Sequence, residues 1–170
     1  MYPAKTIYNI ECPTLLGLYT TDEVTASKLN VNSGDPDLFA TMLRVVVPVA
    51  AGDLIRADGW ARVTNDLGYN VGVGWHLWMY DADNGVGASG VWTQISPLCG
   101  ENVTPNMHHM PLGIKAAYQV PDTWPEGHRA VVVLRASAHS TAWQPGHQIT
   151  VDKPYGYLEV ERLREGPVTS

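Results

Sequence analysis

The chain has 170 residues, 45% of them hydrophobic, with a formal net charge of −6 and a pI near 5.4. That fits one domain, or one domain with a short arm, large enough to bury a real core. Its 11 Lys and Arg form no cluster that would neutralise phosphates, which argues against a nucleic-acid surface. No apolar run approaches the roughly 20 residues of a membrane helix, and "MYPAKTIYNIE" lacks the apolar stretch of a secretory signal, so a soluble acidic protein is expected.

In chain order, weak strand candidates lie near residues 5–11 and 14–20. "DPDLFATML" could hold a turn or two of helix capped by Asp35 or Asp37. "ATMLRVVVPV" reads as a strand, and "AAGD" as a tight turn before Leu54. Residues 54–64 place Ile55, Ala57, Gly59, Ala61 and Val63 on one face; residues 71–80 do the same with Val71, Val73, Trp75, Leu77 and Met79. Joined by a five-residue loop at 65–69, the two read as an antiparallel hairpin. That register sets Gly59 opposite Trp75 inside, and Gly74 opposite Trp60, Asp58 opposite His76 and Arg56 opposite Trp78 outside. Trp75 is then core, and Arg56 lies over Trp78 in a cation–π contact.

After a weak candidate near 90–95, "HMPLGIKAAYQV" turns Met110, Leu112, Ile114, Ala116, Tyr118 and Val120 to one face. Its Pro111 implies a late start or an edge position. "PDTWPEGH" is a connection. "RAVVVLRASAHS" points Ala130, Val132, Leu134, Ala136 and Ala138 inward. A weak candidate near 147–151 precedes "YGYLEVERL", with Leu158 and Val160 inward. About eight to ten short strands separated by turns describe an all-β, jelly-roll-like β-sandwich.

Sequence motifs point away from chemistry. His108 and His109 are adjacent, so on a regular strand they face opposite ways and do not share an ion; with no HxH or HExxH, no metal or cofactor is expected. "DADNG" lacks the spacing of a calcium loop and suits a turn. "HST" at 139–141 is no triad, and no GxSxG elbow exists, so no catalytic residue is assigned. Cys12 and Cys99 form no CxxC, and a free pair is favoured over a disulfide. "NVT" at Asn102 is a glycosylation sequon in spelling only.

Two stretches, "VPVAAGDLIRADGWARVTNDLGYNVGVGWHLW" and "HHMPLGIKAAYQVPDTWPEGHRAVVVLRASAHSTAW", resemble small β-sandwich virion proteins of tailed bacteriophages that infect actinobacteria, head decoration proteins in particular. The resemblance spans roughly residues 39–163. It leaves residues 1–38 as an arm or first strands, and 164–170 as a tail. It implies a jelly roll with no enzymatic role, found in the virion after assembly in the bacterial host cytoplasm. Its partners would be the major capsid protein and copies of itself, a trimer favoured, with no nucleic acid and no membrane. Interface candidates are Arg56, Trp60 and Trp78 on the outer face, with Trp92, Trp124 and Trp143 in connections. Each loop tryptophan has an equal alternative as a plug at the end of the sandwich. The rival function is a carbohydrate- or receptor-binding module of a phage tail, which would use the same exposed tryptophans.

Overall fold

The structure, a computed structural model, describes residues 13–32, 39–84 and 92–164. It contains ten strands and, among the described residues, no helix. They are β1 (Thr14–Thr21), β2 (Lys28–Asn32), β3 (Ala40–Pro48), β4 (Leu54–Asn65), β5 (Val71–Asp81), β6 (Thr93–Gln94), β7 (Cys99–Val103), β8 (Met107–Gln119), β9 (Arg129–His139) and β10 (Gln148–Arg164).

The strands form two layers. In the first, β10 pairs with β4, and β4 with β8; β1 and the start of β2 share the other edge of β10. In the second, β9 lies between β3 and β5, and β5 carries β7 and β6 on its far side. The end of β2 runs parallel to β9 through Val31 and Asn32, so hydrogen bonding continues around one corner from layer to layer. From β3 onward the chain alternates between layers, with β5, β6 and β7 together in the second. This is the jelly-roll pattern.

Alternation explains the core. One face of each strand is dry, so Ile55, Ala61 and Val63 of β4 and Leu112 of β8 meet Val71, Val73 and Leu77 of β5 and Leu134 of β9 across the sandwich. Trp75 is buried among them, as expected. Its Nε1 donates to the Gly113 carbonyl of the opposite layer at 3.1 Å. Pro111 sits inside β8, which it can do because β8, among the described residues, is an edge strand paired with β4 alone.

The expected hairpin of residues 54–64 and 71–80 does not form. β4 pairs with β10 and β8, whereas β5 pairs with β9, β7 and β6, so the two lie in opposite layers. Both arrangements turn the apolar sets toward one core, and residue parity cannot separate them. The corner between them is built by Asn65, which is fully buried. Its Nδ2 donates to the carbonyls of Tyr69, Val103 and Thr104 at 3.0–3.1 Å, and its Oδ1 accepts from the Leu67 amide at 2.9 Å. Gly59 therefore faces leucines, not Trp75: a methyl there would touch Leu77, Leu158 and Leu134 at 3.4–3.6 Å.

The expected helix is also corrected. Residues 40–43 open strand β3, where a register shift between Thr41 and Leu43 lets Met42 and Leu43 both be buried. Asp35 and Asp37, the candidate strand at 5–11, and Cys12 lie outside the described residues. Cys99 is a free thiol. The turn reading of "DADN" fits: Asp81 Oδ1 accepts from the amides of Asp83 and Asn84, and His128 Nδ1 donates to Asp81 Oδ2 at 2.7 Å.

Candidate binding surfaces

Residues Arg56, Trp60 and Trp78 all point away from the core, but they are not one cluster. Arg56 and Trp60 lie on the outer face of the first layer, and Trp78 on the outer face of the second, so the whole sandwich separates them. The expected Arg56–Trp78 contact is accordingly absent, and Arg135 takes that place. Its guanidinium carbon lies 5.9 Å from the Trp78 ring centroid and 5.1 Å from that of Trp92. The other cross-strand pairs of the hairpin fail for the same reason: Trp60 is opposite Gly113 and Tyr157, and Asp58 is opposite Lys115 and Glu159.

On the second layer's outer face, Tyr80, Val131 and Val133 form a small buried cluster under Trp78 and Trp92. The Trp78 and Trp92 rings meet edge to face at 6.1 Å, and His76 stacks on Phe39 at 4.2 Å. Here most of the aromatic surface is packed rather than offered. His76 is 5% exposed, and neither ring nitrogen has a hydrogen-bond partner. Burial, with the nearby Arg135 charge, pushes its pKa down to about 4. The unfolded chain therefore takes up this proton first as pH falls below about 6.5, and stability drops between that value and about 4. His76→Phe keeps the stacking and removes two unpaired polar atoms. We expect a gain of about 1–2 kcal/mol at pH 7 and a larger gain at pH 5, measured by urea unfolding.

Loop tryptophans divide. Trp124, between β8 and β9, packs on the main core and donates through Nε1 to the His128 carbonyl at 3.2 Å. Trp143, between β9 and β10, is exposed. His108 and His109 are also exposed. Among the described residues no group of three or more His, Cys, Asp or Glu side chains is placed to hold a metal ion.

Two surfaces escaped the sequence reading. The first is strand β1, an edge strand whose Leu15, Leu16 and Leu18 are 54%, 40% and 54% exposed. The second is an aromatic row on the first layer's outer face. Tyr157 pairs with Trp60 across β10 and β4, their rings 6.2 Å apart and 21° from parallel. The Arg62 guanidinium lies 3.6 Å above the Tyr155 ring and 5.7 Å from that of Trp60. Burial and the neighbouring Asp58 raise the Tyr157 hydroxyl above its ordinary pKa. The alternation in "YGYLEV" marks both tyrosines as outward, opposite Leu158 and Val160, and Arg62 is two residues from Trp60 on the same strand face.

No family model matches the chain, and no curated protein matches it. Solved structures that align with this chain include chains of infectious bursal disease virus. The Gx strain particle aligns at 12% identity and a TM-score of 0.48, over 93% of this chain and 34% of that one. The Gt strain aligns at 12% and 0.46, over 99% and 37%. The T13 particle of the same virus aligns at 14% and 0.45, over 94% and 35%. This chain thus spans about a third of the length of each. At such identities, and with scores below 0.5, nothing about those particles transfers to this chain.

Proposed function

We propose that this chain is a non-enzymatic structural protein of a virion: a decoration protein that seats on the head shell of a tailed phage and contacts copies of itself. The observation that carries the assembly reading is the β1 edge. Three exposed leucines within four residues, on a strand that pairs on one side alone among the described residues, form a surface that soluble monomers normally cover or break with charge. A neighbouring subunit covers it by adding a strand or by packing an apolar patch against it. The exposed Trp143 is a further anchor of the same kind. The phage head, the major capsid protein as partner and the trimer come from the sequence resemblance, and the jelly roll agrees with them.

A non-catalytic role fits the histidine geometry. His128 pins the Asp81 turn, His109 donates to Asp152, and His147 is hydrogen-bonded to Tyr69. Each holds local structure together.

The test replaces Leu15 and Leu18 with Ser. Both are surface residues, so the melting temperature should stay within a few degrees, whereas sedimentation should show an oligomer reduced to monomer. Mass spectrometry of purified virions should find the wild-type chain in many copies per particle. A wild-type chain that is monomeric at micromolar concentration and absent from virions would sink the reading.

A further inference from the structure

The geometry points to a second site on the outer face of the first layer, bordered by Leu18 of β1 and built to bind a neutral polysaccharide. Trp60 and Tyr157 are the stacking surface, and the charged rows beside them supply the hydrogen bonds.

Register places the parts. Trp60 lies between Tyr157 on β10 and Gly113 on β8, so no side chain on the β8 side covers the indole. One step along the sheet, Asp58 lies between Glu159 and Lys115, and the next row is Glu161, Arg56 and Ala117. These two rows line a groove of about 480 Å³, within the range of small-ligand sites. In the other direction the aromatic surface continues through Arg62 to Tyr155. From Arg56 to Arg62 the face runs for about 20 Å along β4, long enough for an extended oligomer rather than a single ring. Tyr155 and Tyr157 are 47% and 42% exposed.

Chemistry selects the ligand. Three cations, Arg56, Arg62 and Lys115, face three carboxylates, Asp58, Glu159 and Glu161, so the groove offers no net field to a polyanion. A hydroxyl-rich neutral chain meets donors and acceptors in alternation, and the C–H faces of its rings suit flat aromatics. A protein partner fits less well, because the buried centre of a protein interface is poor in charge and here six charged side chains adjoin the aromatics.

The local backbone is built to present these rings. β10 loses register with β4 between Val151 and Gly156, and this irregularity delivers Tyr155 to Arg62. Asp152 holds it in place: Oδ1 accepts from the Thr64 hydroxyl and Oδ2 from His109 Nδ1, each at 2.9 Å. His109 adopts φ = 62°, a left-handed conformation that few non-glycine residues hold, while its amide donates to Thr64 Oγ1 at 3.1 Å. The positive φ falls at a β-bulge, where His108 and His109 stand against Thr64 alone, and the hydrogen bonds hold that bulge beside the exposed rings.

The experiment is affinity electrophoresis of the full chain through native gels containing xylan, mixed-linkage β-glucan, galactomannan or dextran. At least one polysaccharide should retard the wild type. Tyr157→Ala and Trp60→Ala should each weaken that binding by about tenfold or more. Tyr157→Ala is the safer variant, since its ring is nearly half exposed and its loss leaves the core intact. Leu15→Ser alone, opposite Leu163 and beyond the charged rows, should be retarded like wild type, whereas Leu18 lies opposite Glu161 and borders the groove. Failure of all four polysaccharides to retard the wild type overturns the proposal, as does equal retardation of Tyr157→Ala. If Tyr157→Ala instead dissociates an oligomer that binds no sugar, the face is a protein contact; the site proposal then falls while the assembly reading stands.

Discussion

Trp75→Ala should cost about 3–5 kcal/mol of folding stability, the range for truncating a large buried aromatic. Trp75 stands on the inner face of β5, in the middle of the cluster that both layers share. Its indole also spans the sandwich, since Nε1 donates to the Gly113 carbonyl on β8. Truncation leaves a cavity between the layers and removes that hydrogen bond at once. Trp75→Phe refills much of the volume but still loses that hydrogen bond, so it should lose less, on the order of 1–2 kcal/mol. The control is Trp60→Ala on the outer face, which opens no internal cavity and should lose well under half as much as Trp75→Ala. Urea unfolding of the three variants is the measurement. Equal losses for Trp60→Ala and Trp75→Ala would mean that the inner and outer faces of these strands have been exchanged.

Much of the fold was legible for one physical reason. In a sandwich each strand has a wet face and a dry face, so a period of two marks both the strand and the side that is buried. Met110, Leu112 and Ile114, like Ala130, Val132 and Leu134, are buried as their alternation required. What alternation does not encode is the neighbour. Residues 54–64 and 71–80 show the same inward parity whether they pair side by side or face each other, and the choice lies in the Asn65 corner. Alternation also fails within "VVVL", where Val131, Val132 and Val133 are all buried. An unbroken apolar run signals cover on both faces, and the cluster with Tyr80 supplies it.

The candidate site was legible in part. Trp60 and Trp78 do project from the outer faces, because each is an even step from an outward neighbour on its own strand. Their separation by the full sandwich followed from the layer assignment, which parity left open. Alternation marks Tyr155 as outward, but its contact with Arg62 depends on the register irregularity in β10, a long-range feature with no local sequence mark. The β1 leucines were hidden for a different reason. An edge strand whose leucines stay exposed looks, in sequence, like a strand that buries them.

The second large effect concerns Asp53, at the turn between β3 and β4. Asp53→Asn should cost about 2–4 kcal/mol at pH 7, somewhat below the usual loss for breaking a buried ion pair because Arg164 is half exposed. Asp53 is fully buried, and its Oδ2 accepts from Arg162 Nε at 2.6 Å and from the Ala50 amide at 2.8 Å. Its Oδ1 accepts from Arg164 Nη2 at 2.8 Å. One carboxylate thus ties the first interlayer turn to the end of β10. Burial alone would raise its pKa, but the hydrogen bonds from Arg164, Ala50 and Arg162 outweigh it and hold the group below its ordinary value. The folded state therefore releases this proton more readily than the unfolded chain. Its stabilisation is complete above the unfolded value of about 4 and is lost as pH falls through the lower folded value. Asn cannot titrate, and it puts an NH2 donor where one of the two oxygens that receive Arg162 and Arg164 stood, so the variant lacks this acid limb. The stability gap between wild type and Asp53→Asn should be widest from pH 6 to 8 and should shrink steadily below about pH 4. Denaturant titrations at fixed pH steps measure that gap directly. A gap that stayed constant down to pH 2 would show that Asp53 contributes through packing rather than through its charge.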